Sequence, residues 1–187
     1  MPLLMLAQKQ NNNFLPLAAM HKIAKILEIP PMQVYEVASF YTMYNRTPVG
    51  KYHLQVCGTT PCMLRGAQTI IKTIEDHLDI KCGGTSKDGL FTLHEVECLG
   101  ACVNAPMMQV SNEWFYEDLT PENTVALLDQ MRQGSGFRTG PQISERVNSE
   151  GPEGRTCLQD FTSVPIDRDF AAEKERYDAE KAEAAKK

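Results

Sequence analysis

The sequence contains no block of basic residues. Its 19 Lys and Arg stand against 24 Asp and Glu, a net charge of −5, which argues against nucleic acid and anionic membrane surfaces as partners. It also lacks a membrane-spanning run. The longest uncharged stretch, Cys98 to Asn112, is too short to cross a bilayer and is interrupted by Gly100, Asn104 and Pro106, so no direct membrane insertion is expected. No Walker sequence, H-E-x-x-H or C-x-x-C occurs, which removes P-loop, zincin and thioredoxin-type readings. Gly134-Ser-Gly136-Phe-Arg-Thr-Gly140 has the wrong spacing for a phosphate loop and follows a helix, so it reads as linker. Six cysteines in 187 residues are too sparse for a small disulfide scaffold, and a chain this long builds a core without staples. With 42% hydrophobic and 23% charged residues, the composition is that of a globular protein, neither disordered nor collagen-like. The opening Met1-Pro2-Leu3-Leu4-Met5-Leu6 resembles neither a secretory signal nor an Arg- and Ser-rich transit peptide. The expectation is a removed targeting segment or a start inside a longer precursor, with a reducing compartment as the default.

Length suggests one domain plus extra segments, and composition divides the chain into three. Residues 1–47 read as helical. Pro16 opens a helix whose Leu17, Met20, Ile23, Ala24 and Leu27 recur at helical spacing up to Pro30, and Pro31 opens another with Val34, Val37, Ala38 and Tyr41 on one face. Helices this short are marginal alone, so they must pack on a domain core or a partner. Phe40, Tyr41 and Tyr44 are expected to pack on the segment after them. Residues 48–134 alternate strand and helix signals. Strands are expected at Tyr52–Val56, Leu90–Val96, Met107–Val110 and Trp114–Tyr116. A helix opened by Pro61 presents Ala67, Ile70, Ile71, Ile74 and Leu78; one opened by Thr120-Pro121-Glu122 presents Val125, Leu128 and Met131 and closes at Gly134. The order β-α-β-β-β-α predicts a compact α/β sandwich. Residues 135–187, rich in Gly, Pro, Ser and charge, read as an extended tail. The Ala/Glu/Lys-rich end from Asp169 is either a solvated helix or frayed chain.

Four cysteines form two pairs, Cys57-Gly-Thr-Thr-Pro-Cys62 and Cys98-Leu-Gly-Ala-Cys102, each starting where a strand is expected to end. If those strands are neighbours, both loops leave one edge of the sheet and four sulfurs converge, a donor set suited to zinc or an iron–sulfur centre. Zinc knuckles typically have two to four residues between ligands, most often two; gaps of four and three fit a larger inorganic core better. Such a core needs backbone N–H donors aimed at sulfur and little water. Gly58, Thr59, Thr60, Gly100 and Ala101 are small enough to let the backbone close in, and Leu99, Val103 and Pro106 are apolar covers. Cys62 sits just inside a helix start, where the dipole favours a thiolate. Buried free thiols and a zinc-stabilised interaction module are the rival readings. A Rieske-type centre requires His on one iron, whereas His53 and His94 lie in expected strands and His21 and His77 in expected helices. Cys82 and Cys157 stand apart and read as inert thiols, and Met107-Met108 as core filler. Glu95 and Glu97 are either solvated strand residues or, if close to the second loop, carboxylates that make reduction harder.

These segments carry a resemblance. Val34-Tyr35-Glu36-Val37-Ala38-Ser39-Phe40-Tyr41-Thr42-Met43-Tyr44, Cys57-Gly-Thr-Thr-Pro-Cys62-Met-Leu-Arg65-Gly and Glu97-Cys98-Leu-Gly-Ala-Cys102-Val-Asn-Ala-Pro106 are similar to the thioredoxin-like [2Fe–2S] subunit of respiratory complex I. The likeness runs roughly from Leu3 to Gly140 and is nearer to mitochondrial than to distant bacterial members. It implies an α/β thioredoxin-like [2Fe–2S] ferredoxin domain preceded by a small N-terminal helical bundle. It implies one cluster held by Cys57, Cys62, Cys98 and Cys102, and no catalytic residue in this chain. The implied partners are the flavoprotein subunit, which binds FMN and NADH, and the neighbouring iron–sulfur subunit of the peripheral arm. The implied activity is that of a subunit of NADH:ubiquinone reductase on the matrix side of the mitochondrial inner membrane, exchanging single electrons with the flavin. A stand-alone [2Fe–2S] ferredoxin is the alternative, although a diffusing carrier has little use for a docking bundle. Gly58 stands where many members carry Ser or Thr, loosening the loop or removing a hydroxyl donor, and the charged tail after Asp169 matches nothing in the family.

Overall fold

The computed structural model describes residues 1–134 and 138–143, together with residue 174. Apolar residues alternate through β1 (Tyr52–Cys57) and β2 (Phe91–Val96), so that Leu54, Val56, Phe91 and Leu93 line one buried face. The two strands pair in parallel, with Leu54 opposite Leu93 and Cys57 opposite Val96. On the other side of β1 lies antiparallel β3 (Met108–Val110), then β4 (Trp114–Glu117) and the short β5 (Gly140–Pro141), giving the order β2-β1-β3-β4-β5. Parallel neighbours need a crossover, which α4 (Thr60–Leu64) and α5 (Ala67–Leu78) supply. Ile70, Ile71, Ile74 and Leu78 of α5 join the strands and Leu127, Leu128 and Met131 of α6 (Pro121–Gln133) in the main core.

The helix expected from Pro61 comes in two pieces. Gly66 adopts φ +93°, a conformation that glycine enters without penalty, and it breaks the run between Leu64 and Ala67. The start of α6 is as its sequence suggests. Thr120 Oγ1 accepts the Asn123 N–H at 3.2 Å while Asn123 Oδ1 accepts the Thr120 N–H at 2.7 Å, so two donors are satisfied reciprocally. Thr120→Ala is therefore expected to cost about 1 kcal/mol, measured as a lower denaturation midpoint at unchanged slope. The inner face of α6 is Thr124, Leu127, Leu128 and Met131. Val125, expected inside, is half-buried, because the stripe that meets the sheet is centred one position away and includes a threonine that an apolar pattern overlooks.

The N-terminal helices α1 (Pro2–Gln10), α2 (Leu17–Leu27) and α3 (Pro31–Phe40) do not rely on the sheet for a core. Leu4, Leu15, Met20, Ile23, Ala24, Val34, Ala38 and Tyr44 form one among themselves. Leu17 and Leu27, expected to face inward, are 58% and 46% exposed; they lie at the two ends of α2, beyond the stretch that its neighbours cover. Phe40 and Tyr41 also face solvent, and of that aromatic trio only Tyr44 is buried. Polar contacts join the bundle to the β3–β4 turn: Asn112 Nδ2 donates to the Met43 carbonyl at 3.0 Å, and Lys9 pairs with Glu113 at 2.8 Å. Within the expected tail, Gly140–Pro141 adds a parallel strand beside Tyr116 and Glu117. Cys157 and the tail from Asp169, residue 174 apart, lie outside the described residues.

Candidate metal centre

Because β1 and β2 are parallel neighbours, they end at one edge of the sheet, and both cysteine loops begin there. Cys57, the last residue of β1, lies opposite Val96, which precedes Cys98 by two residues. The Cys57 N–H donates to the Met107 carbonyl at 3.2 Å and the Gly58 N–H to the Val96 carbonyl at 3.0 Å, pinning the first loop between β2 and the chain entering β3. Helix α4 then carries Cys62 inward, where it is 1% exposed. In the second loop Gly100, at φ +84°, turns the chain, and a 3₁₀ turn at Cys102–Asn104 sets Cys102 beside Cys98 with their sulfurs 3.4 Å apart.

The two pairs meet. Cys57 is within hydrogen-bonding reach of Cys62 and of Cys98, and Cys102 interacts electrostatically with both Cys57 and Cys62. Among the described residues no three His, Cys, Asp or Glu side chains form a ready cage for a single ion; the sulfurs meet as two pairs joined through Cys57. Cys57 and Cys62 are buried with Ala67, Ala105 and Met107, against which Leu99, Ala101 and Phe115 pack. Cys98 and Cys102 are exposed. The site thus has a dry side and an open side. Leu99 packs against the buried sulfurs as expected and Pro106 is buried, but Val103 is 68% exposed, because the 3₁₀ turn sends Asn104 inward and its neighbour out.

Protonation follows this asymmetry. Burial, reinforced by the Cys57 sulfur, pushes the Cys62 thiol up to about 11. That reverses the expectation of a dipole-favoured thiolate: a five-residue helix offers too little to offset desolvation of a charged sulfur. Cys98 is held below the ordinary thiol range, first by the Gly100 N–H and then by the Cys102 thiol, while Cys102 is raised, chiefly by its hydrogen bond to Cys98. Cys98 therefore gives up its proton more readily than Cys62 or Cys102, and protons must leave the raised thiols as positive charge arrives, as in metal binding. The backbone N–H groups of Gly100, Met107 and Cys102 are directed at the sulfurs of Cys98, Cys62 and Cys102. Four thiols, amide donors and an apolar wall suit an anionic iron–sulfur cluster in their chemistry.

Other residues fall away from the group or were not foreseen. Cys82 is exposed and its sulfur accepts the Glu95 N–H at 3.2 Å. His53 and His94 form a separate pair inside the strands, Nε2 to Nδ1 2.6 Å. Sequence reasoning missed Met107, which braces both ends of the first loop, accepting the Cys57 N–H on its carbonyl and donating its N–H to the Cys62 sulfur, since backbone roles leave no side-chain signature. It also missed Arg65, whose Nε donates to the Ala105 carbonyl at 3.4 Å and ties the helix bearing Cys62 to the chain after Cys102. A cation three residues after a cysteine was the available signal.

A family model, the thioredoxin-like [2Fe-2S] ferredoxin, matches residues 1–132. The chain belongs to this family, whose cofactor is a [2Fe–2S] cluster. Its relatives narrow the class. Over 168 residues, 90% of this chain and 67% of the relative, it is 55% identical to the NADH dehydrogenase [ubiquinone] flavoprotein 2, mitochondrial, of Dictyostelium discoideum. Over 132 residues, 71% of this chain and 78% of the relative, it is 54% identical to a subunit of the NADH-quinone oxidoreductase of Rickettsia bellii. Among solved structures, a NAD+-reducing [NiFe]-hydrogenase in the air-oxidized state matches with a TM-score of 0.60 at 20% identity, over 70% of this chain and 23% of that one. At that identity the likeness is one of fold.

Proposed function

We propose that this chain is the [2Fe–2S] subunit of the NADH dehydrogenase module of complex I. In this reading Cys57, Cys62, Cys98 and Cys102 hold the cluster, and the chain exchanges single electrons with the FMN of a partner flavoprotein subunit during NADH oxidation. The observation that carries it is the meeting of four thiols delivered by two neighbouring strand ends. The identity to the Dictyostelium and Rickettsia proteins supports the wider assignment.

When bound, such a cluster supplies one-electron acceptance and donation, against the pair of electrons that NADH surrenders as hydride. The rest is done by the chain. Cys57 and Cys62 stand on the dry side, where Ala67, Ala105, Met107, Leu99 and Phe115 exclude water. The Gly100, Met107 and Cys102 amides offset negative charge on sulfur. Cys98 and Cys102 stand at the surface, the side open to a partner's redox group. The proposal divides the chain into a docking bundle at 1–47, a cluster domain at 48–134 and a tail at 135–187. The bundle's own core and its exposed Leu17, Ile26, Met32 and Phe40 support the first of these roles. Among the described residues no helix is long and apolar enough to cross a membrane; the chain is assigned to the peripheral arm, on the matrix side of the mitochondrial inner membrane, beside the flavoprotein and a further iron–sulfur subunit.

Anaerobic mixing with the flavoprotein partner tests this. NADH is expected to reduce the iron-loaded chain when the partner is present and to leave it oxidised when the partner is absent. A chain that dithionite reduces but NADH plus the partner does not would contradict electron exchange with the flavin.

A further inference from the structure

A carboxylate packs against the first cysteine loop. Glu95 reaches from β2 to Gly58, the residue after Cys57: a Cβ at position 58 would lie 2.0 Å from Glu95 Oε1 and 2.8 Å from its carboxyl carbon. The space that a side chain would take is filled by the carboxylate. Gln68, near the start of α5, steadies it by donating from Nε2 to Oε1 at 3.3 Å. Glu97, further along, accepts the Thr59 hydroxyl at 3.5 Å, so both acidic residues at the end of β2 lean on the first loop. Among the described residues neither is in an ion pair, and their charge is not locally cancelled. Glu97 adjoins Cys98 in sequence, which by itself brings it to the site whatever its side chain contacts. Glu95 does not; it is brought there by an absent side chain and an amide partner.

We propose that Glu95 lowers the reduction potential of the cluster by holding a negative charge against the first ligand loop, with glycine at 58 as the residue that admits it. An added electron makes an anionic cluster more negative, and a nearby carboxylate opposes that step. Gln68 acts as a positioning residue for the carboxylate. Because Glu95 is exposed, its effect is subject to screening by salt. The inference rests on the ligand assignment proposed above.

The test is an anaerobic redox titration of the full, cluster-loaded chain, followed by the magnetic-resonance signal of the reduced form. Glu95→Gln is expected to favour reduction by about threefold to tenfold, tenfold being about 59 mV for one electron. Glu95→Lys is expected to move the midpoint in the same direction and further, since the effect scales with charge. Gly58→Ala retains the charge but pushes the carboxylate off the loop, and a smaller rise is expected. The differences should shrink in about 1 M salt, where the screening length is about 3 Å. Unchanged midpoints in Glu95→Gln and Glu95→Lys at full cluster content would overturn the proposal. So would loss of the cluster in Glu95→Gln, which would make Glu95 a strut for the loop. Failure of the ligand assignment looks different: a wild-type chain with no iron–sulfur signal to titrate, which removes both proposals together.

Discussion

The Cys62→Ser chain is expected to purify folded and without bound iron or sulfide. Cys62 is buried on the dry side of the site, in contact with Cys57 and beneath Met107 and Ala105. A hydroxyl there is a much weaker ligand for iron than a thiolate, and Cys82, the described cysteine outside the group, is exposed and accepts the Glu95 N–H. Cluster content should fall by at least about tenfold, since even residues that merely support metal ligands cost that much when removed. Folding should survive, because the main core of β1, β2, α5 and α6 is built without this residue, and one extra buried hydroxyl costs about 1–3 kcal/mol. Cys57→Ser, Cys98→Ser and Cys102→Ser should behave alike, whereas Cys82→Ser and Cys157→Ser should retain the cluster. Iron and sulfide assays beside far-ultraviolet circular dichroism check this, and full iron content in Cys62→Ser would contradict it.

Acid is expected to destabilise the chain between about pH 6.5 and pH 4 through His53. This ring is 4% exposed, its Nε2 meets His94 Nδ1 at 2.6 Å, and its Nδ1 is buried without a partner among the described residues. Burial, with His94 adding, lowers its pKa to about 4. In the unfolded chain an ordinary histidine takes up its proton near 6.5, so between the two values the unfolded state binds more protons. Stability is then fully present above the unfolded value and falls as pH drops toward the folded one. From pH 7 to pH 4.5 the loss attributable to His53 is roughly 2 kcal/mol. Urea denaturation at the two pH values should show a shallower decline for His53→Gln than for the wild type. Equal declines would show that this ring is not the source.

Much of this was written locally. Leu54, Val56, Leu93 and Phe91 announce their strands by alternation, Thr120-Pro121-Glu122 announces a helix start, and Gly134 an end. The cysteine loops were legible for the same reason: small residues, tight spacing and strand ends all lie within a few positions of each sulfur. What remained hidden depends on contacts far apart in sequence. Val103 and Leu99 look equally apolar, but only the path of the 3₁₀ turn decides which of them covers the site. The burial that keeps Cys62 protonated comes from Ala105 and Met107, more than forty residues away by the numbering. Gly140–Pro141 has no strand signal of its own and pairs only because the edge of β4 is available. The approach of Glu95 to Gly58 joins two residues that nothing in either segment links.

The central claim is that Cys57, Cys62, Cys98 and Cys102 together hold a two-iron, two-sulfide unit. It is tested most directly by assaying iron, zinc and acid-labile sulfide in the purified chain and recording its magnetic-resonance spectrum after reduction. Equal iron and sulfide, with a radical signal that appears on one-electron reduction, is the result expected. Stoichiometric zinc, no sulfide and a silent spectrum would contradict it.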